Sequence, residues 1–111
     1  MKIDVYFTPT FNRKFNRFKK KFKSLAFDLK AFIEKLPDLN GGDLGSGVYK
    51  YRLSVESKNK GKSGGFRIIA FEIVIAEDQK NITLLTLYDK SEQSSLSKKE
   101  ITLILKEQGL N

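Results

Sequence analysis

The chain contains no cysteine and no histidine. Without cysteine there is no disulfide framework, no zinc–thiolate site and no thiol nucleophile. Without histidine the commonest general base and metal ligand is missing. Catalysis, if present, must draw on Lys, Arg, Tyr, Asp, Glu, Ser or Thr, and neither a cofactor nor a metal is expected. No apolar run is long enough to span a bilayer, and no signal peptide precedes the first expected strand. These absences point to a cytoplasmic protein with no membrane association.

Negative charge is also scarce. Lys and Arg number 21 against 13 Asp and Glu, a formal net charge of +8, and the pI is near 9.7. Such an excess favours an anionic partner, whether nucleic acid, an acidic protein or a membrane surface, although it also serves simple solubility. At 111 residues the chain suits one domain, 1–111, with a core that needs no metal or disulfide.

Ile3-Asp4-Val5-Tyr6-Phe7 is rich in β-formers and reads as a first strand, closed by Thr8-Pro9. Thr10 can then cap a helix, with Pro9 just outside. Phe11, Phe15, Phe18, Phe22, Leu25, Ala26, Leu29, Phe32, Ile33 and Leu36 follow at helical spacing. Lys19-Lys20-Lys21 and Ser24 suggest a break near 21–24, giving two helices or one bent helix. The phenylalanines face one way and read as core rather than as a stacking platform. The Lys and Arg between them form the solvated face and add a diffuse field that attracts phosphate.

Pro37-Asp38-Leu39-Asn40-Gly41-Gly42-Asp43 ends the helical part, and Leu44-Gly45-Ser46-Gly47 continues the turn. Val48–Val55 reads as a strand with Val48, Lys50, Arg52 and Ser54 on one face. Lys50 and Arg52, about 7 Å apart along such a strand, can bracket a phosphate or stand as plain solvated cations. Residues 66–76 form the next strand, Glu77–Asn81 a turn, and Ile82–Tyr88 a further strand. Their near-continuous apolar sequence marks both as central and mostly covered. Ser97-Lys98-Lys99-Glu100 is a capping box, with Leu96 and Ile101 placed as a hydrophobic staple. A helix is expected over about 98–108, with Ile101, Ile104 and Leu105 inward and Gly109 near its stop.

Between the two middle strands lies Lys58-Asn59-Lys60-Gly61-Lys62-Ser63-Gly64-Gly65-Phe66-Arg67. Ammonium groups on a glycine-bearing loop, with a guanidinium on the strand behind, make a site for phosphate. Gly61-Lys62-Ser63 imitates the end of a nucleotide-binding P-loop. That motif needs a glycine where Glu56 stands and a helix where a strand follows, so the P-loop reading fails.

The order of elements, together with several stretches, resembles the RelE/ParE superfamily of bacterial toxins, in particular its HigB-like RelE branch. The stretches are Thr8-Pro9-Thr10-Phe11, Gly47-Val48-Tyr49-Lys50-Tyr51-Arg52-Leu53, Lys60-Gly61-Lys62-Ser63-Gly64-Gly65-Phe66-Arg67-Ile68-Ile69, and Tyr88-Asp89-Lys90-Ser91-Glu92-Gln93 followed by Leu96-Ser97-Lys98-Lys99-Glu100. The expected fold is α+β: a small, antiparallel-dominated sheet of about four strands, an N-terminal helical pair packed on it, and a C-terminal helix. The resemblance implies the toxin of a type II toxin–antitoxin pair, silenced by a cognate antitoxin. RelE-type members cut messenger RNA in the ribosomal A site, whereas ParE-type members act on DNA gyrase. Lys50, Arg52, Lys60, Lys62, Arg67, Tyr88 and Lys90 look like the RelE-type set, which implies ribosome and mRNA as partners. Operator DNA would be bound only through the antitoxin complex.

Metal-independent RNA cleavage needs a base for the 2′-hydroxyl, cations for the phosphate charge, and an acid for the leaving 5′-oxygen. Neighbouring cations lower a lysine's pKa in the direction a base requires. The resemblance assigns Arg67 to the transition-state phosphate. Lys62 or Lys90 takes the acid or base role, and Tyr88 stacks on or orients a base, or shares proton transfer. Lys50, Arg52, Lys58 and Lys60 hold RNA, and Glu92 orients a lysine. The histidine–aspartate sites of some other members are absent. A gyrase-directed toxin and a non-catalytic basic RNA-binding module are the alternative functions.

Overall fold

The computed structural model describes residues 1–58 and 65–110. Among these residues nine elements follow one another: β1 (Lys2–Phe7), α1 (Pro9–Lys21), α2 (Leu25–Lys35), a single 3-10 turn (Leu36–Asp38), β2 (Gly42–Gly45), β3 (Val48–Leu53), β4 (Phe66–Ala76), β5 (Gln79–Asp89) and α3 (Lys98–Glu107). The strands form one sheet in the order β1-β5-β4-β3-β2. β1 runs parallel to β5, and the other neighbours are antiparallel. The α+β class and antiparallel-dominated sheet hold, with five strands rather than about four.

The added strand is β2. Its sequence, Gly42-Asp43-Leu44-Gly45, consists largely of turn formers. It becomes a strand by pairing with Lys50, Tyr49 and Val48. Gly45, Ser46 and Gly47 all take positive φ in the tight turn that joins β2 to β3.

Alternation along the strands divides the apolar residues between two faces. Phe66, Ile68 and Ala70 of β4 join Tyr51, Leu53, Ile82, Leu84 and Leu87 under α1 and α2, which contribute Phe11, Phe18, Phe22, Leu25, Leu29 and Phe32. The phenylalanine spacing therefore does mark core. Phe18 and Phe22 each meet the ring of Phe66 edge-on, at 4.8 and 5.4 Å between centroids. On the opposite face Val48, Ile69, Leu85 and Tyr88 pack under Ile101, Ile104 and Leu105 of α3. The capping box at Ser97 and Glu100 starts α3 as its sequence predicts. Gly109, at φ +66°, ends it.

The first helix begins earlier than expected. Thr8, not Thr10, is its N-cap, and Pro9 is its first residue, a position where the missing N–H costs nothing. The Thr8 hydroxyl accepts from Phe11 N–H at 2.9 Å and donates to the Leu85 carbonyl at 2.7 Å. Leu85 is the extra residue of a bulge, because Ile69 pairs with Thr86 while Ala70 pairs with Leu84. Thr8 thus caps a helix and satisfies a bulge with one side chain. The break between helices falls where the sequence places it, after Lys21. Ser24, however, gives its hydroxyl to Asp28 at 2.6 Å instead of to a cap.

Two further expectations need correction. The β4–β5 turn is only Glu77-Asp78, since pairing resumes at Ala76 and Gln79. The far end of β4 is also uncovered: Ile73, Val74 and Ile75 are exposed, and they lie beyond Phe71, where the pairing of β4 with β3 ends.

Candidate active site

β3 and β4 carry the site. Alternation from Val48 places Lys50 and Arg52 on the α3 face of β3, and alternation from Ile69 places Arg67 on the same face of β4. Register does the rest. Arg52 pairs with Arg67, and Arg67 pairs with Tyr88 on β5. Three functional candidates therefore form one lateral row across three strands. β3 is held in place from its other face, where Tyr51 donates its hydroxyl to Glu72 and Lys80 lies 3.1 Å from the same carboxylate. Burial and that hydrogen bond push the Tyr51 phenol up, so it stays a donor.

Lys50, Arg52, Arg67 and Lys90 line one cleft of about 530 Å³, walled by Leu39, Asn40 and Gly42 from the segment leading into β2. No carboxylate is among the described residues that line it. Like charges directly opposite in a sheet are mutually destabilising. Four cations converging without a carboxylate leave an unbalanced positive field, which suits an oxyanion or a phosphate. Among the described residues Arg67 makes one local hydrogen bond, to the Phe66 carbonyl at 3.3 Å, and its other donors have no partner among them.

The other candidates fare differently. Tyr88 is only 2% exposed and packs under α3. In this arrangement its ring has no open face for a base. Burial pushes its phenol up, against an opposing pull from Arg67, so proton loss near neutrality is disfavoured. The hydroxyls of Tyr88 and of Thr86, two residues earlier, have no partner among the described residues.

Lys58, expected to hold RNA, makes contacts within the protein. Its Nζ lies 3.2 Å from Asp89 Oδ1 and donates to Ser91 Oγ at 3.2 Å. It also stands 5.9 Å from the centroid of the Phe22 ring. Glu92, expected to orient a lysine, is exposed, and among the described residues it makes no side-chain hydrogen bond or ion pair. Three residues before Glu92, a carboxylate that does hold a lysine is Asp89, which sequence reasoning passed over. Its signal was the Asp89-Lys90-Ser91 spacing, since Asp and Ser two apart commonly close a turn. Lys60 and Lys62 lie outside the described residues.

A family model described as "RelE toxin of RelE / RelB toxin-antitoxin system" matches residues 9–109. No curated protein matches the chain.

Proposed function

Given that this chain belongs to the RelE toxin family, we propose that it is a ribosome-dependent mRNA endoribonuclease that acts without a metal. The observation that carries this reading is the in-register Arg52–Arg67 pair, flanked by Lys50 and Lys90 in a cleft whose described lining holds no carboxylate. A phosphodiester placed there meets two planar, multi-donor cations from adjacent strands. The 2′-oxygen attacks the adjacent phosphorus, the P–O5′ bond breaks, and a 2′,3′-cyclic phosphate and a 5′-hydroxyl result. Arg52 and Arg67 stabilise the charge that builds on the phosphoryl oxygens. Proton transfer falls to lysines: Lys90 in the cleft, with Lys62 from the segment outside the described residues. One takes the 2′-hydroxyl proton, and the other supplies a proton to the leaving oxygen. Lys50 holds the flanking backbone. The same cations do the electrostatic work a divalent ion performs in other nucleases.

A site with few committed contacts to a base relies on its context to orient the message, which supports the ribosome as co-substrate. The partner in the cell is a cognate antitoxin, and the positive surface favours an acidic segment. Among the described residues no helix is long and apolar enough to cross a membrane, which fits action in the cytoplasm.

Primer extension on messenger from a reconstituted translation reaction tests the reading. New 5′ ends should appear with wild-type protein and ribosomes together, and not with Arg67→Ala. Intact messenger in the presence of folded protein would reject it and direct attention to gyrase, through a supercoiling assay.

A further inference from the structure

Asp89 closes β5 immediately before Lys90, and its side chain is almost wholly buried. Oδ1 accepts from the Ser91 N–H at 2.9 Å and from the Ser91 hydroxyl at 2.8 Å. Lys58 Nζ reaches the same oxygen and donates to the Ser91 hydroxyl. Lys58, Asp89 and Ser91 thus form a closed triangle of polar contacts.

Lys90 sits between two corners of that triangle. Its N–H donates to the Gly65 carbonyl at 3.2 Å, while Glu92 and Gln93 donate their N–H groups back to the Asp89 carbonyl at 2.9 and 3.2 Å. Gly65 is itself confined: at φ +84° it abuts β3, where an added Cβ would stand 2.8 Å from the Leu53 carbonyl. The backbone of Lys90 is therefore fixed against β3 and β4, the strands that carry Arg52 and Arg67. Its side chain lines their cleft. A buried ion pair is a weak source of net stability, but losing one partner strands a charge. Such a pair is better suited to holding a geometry than to stabilising the fold.

We infer that Asp89 and Lys58 are positioning residues, which act through Ser91 to hold Lys90 in register with Arg52 and Arg67. The inference rests on the ribonuclease reading and deepens it. It assigns Lys58 the role of counter-ion to Asp89, in place of RNA ligand. Neither residue touches the phosphate. Misplacing a proton-transfer group by about 1 Å lowers the rate at saturation on the order of a hundredfold without weakening ground-state binding.

The test compares wild type, Asp89→Asn, Lys58→Met and Lys58→Arg on ribosome-bound messenger under single-turnover conditions, alongside thermal melting. Asp89→Asn and Lys58→Met should lower the saturated rate by roughly ten- to a hundredfold. Their half-saturation concentrations should stay near wild type, and Lys58→Arg should retain the rate. If Asp89→Asn does not fold, the two Lys58 variants decide. Folded Lys58→Met with the wild-type rate overturns the inference. So does a defect confined to half-saturation, which would make Lys58 a direct RNA contact.

A second readout is independent of cleavage. Acetylation of Lys90 by acetic anhydride is followed by mass spectrometry, with and without pyrophosphate. Pyrophosphate should protect Lys90 in wild type and Lys58→Arg, and protect it several-fold less in Lys58→Met. Equal protection in all three overturns the positioning role. The expected protection pattern with a wild type that never cleaves supports the positioning role and overturns the ribonuclease reading alone.

Discussion

Arg52 and Arg67 face each other in register across β3 and β4, and both line the same cleft. Folding gains nothing from that placement, because like charges opposite one another in a sheet repel. Replacing Arg67 with Ala should therefore leave the melting temperature unchanged or slightly raised. Cleavage should fall by about 10²–10³, the range for losing one preorganised donor to a developing oxyanion. Thermal melting beside a single-turnover assay checks both halves. A destabilised, fully active Arg67→Ala would reverse the assignment.

Thr8 makes the opposite kind of contribution. Thr8→Val keeps the shape of the side chain but removes the helix cap and leaves the Leu85 carbonyl without its hydroxyl donor. The expected loss is about 2 kcal/mol, or a fall in melting temperature of roughly 10 °C. Urea denaturation should show a lower midpoint at unchanged slope. Thr10→Val, at the position sequence alone marks as the cap, should leave the start of the helix intact.

Acid should expose the Lys58–Asp89 pair. Burial alone would raise the Asp89 carboxyl, but hydrogen bonds from Ser91 and Lys58 outweigh it and hold the group below its ordinary value. The unfolded chain then binds the proton more readily, so stability rises with pH across this window. The contribution is fully present above an unfolded value of about 3.9 and fades as pH falls through the depressed folded value. The charged neighbour facing Asp89 among the described residues is Lys58. Urea midpoints from pH 7 down to pH 3 should fall more steeply for wild type than for Asp89→Asn. Parallel curves would show that another carboxylate governs acid sensitivity; the Ser97-bonded Glu100, also held low, would be the first to substitute.

Glycine positions separate conformational strain from collision. Gly45 and Gly65 both have positive φ, but an added Cβ at Gly45 meets nothing within 4 Å. Gly45→Ala should cost about 1 kcal/mol. Gly65→Ala adds the clash with the Leu53 carbonyl, for a total of about 3 kcal/mol, and shifts the start of β4 beside Arg67. Denaturation midpoints for the two variants should differ accordingly, with cleavage lost only in Gly65→Ala.

The features legible in the sequence are those set by local periodicity or local hydrogen bonds. The phenylalanine spacing gave the face of α1 and α2 that meets the sheet, and Ser97 with Glu100 gave the start of α3. Lys50 and Arg52 were legible as one strand face through alternation; Arg67 and Lys90 joined them only through the family resemblance, and the register of the strands brings all four to one cleft. What escaped depends on distant partners. Thr8 outcompetes Thr10 as a cap because the Leu85 bulge also needs its hydroxyl. β2 exists because β3 offers it a ladder. Tyr88 reads as a reactive strand-end residue until α3 folds over it, and Lys58 reads as a free cation until Asp89 arrives beside it. Apolar character suggested that Ile73, Val74 and Ile75 are covered, but composition does not say where β3 stops pairing with β4.

The bond from the Thr8 hydroxyl to the Leu85 carbonyl spans 77 positions of the chain, and among the described residues parallel β1 pairs with β5 alone. Closing so long a loop is slow compared with forming the helices or the β4–β5 hairpin. During synthesis β1, α1 and α2 emerge first and must wait for β5 before either the sheet edge or the Thr8–Leu85 bond can form. Acquisition of the native state is thus timed by the last third of the chain. A nascent molecule stays inert through most of its own translation, an interval in which an inhibitor made in parallel can be ready to meet it.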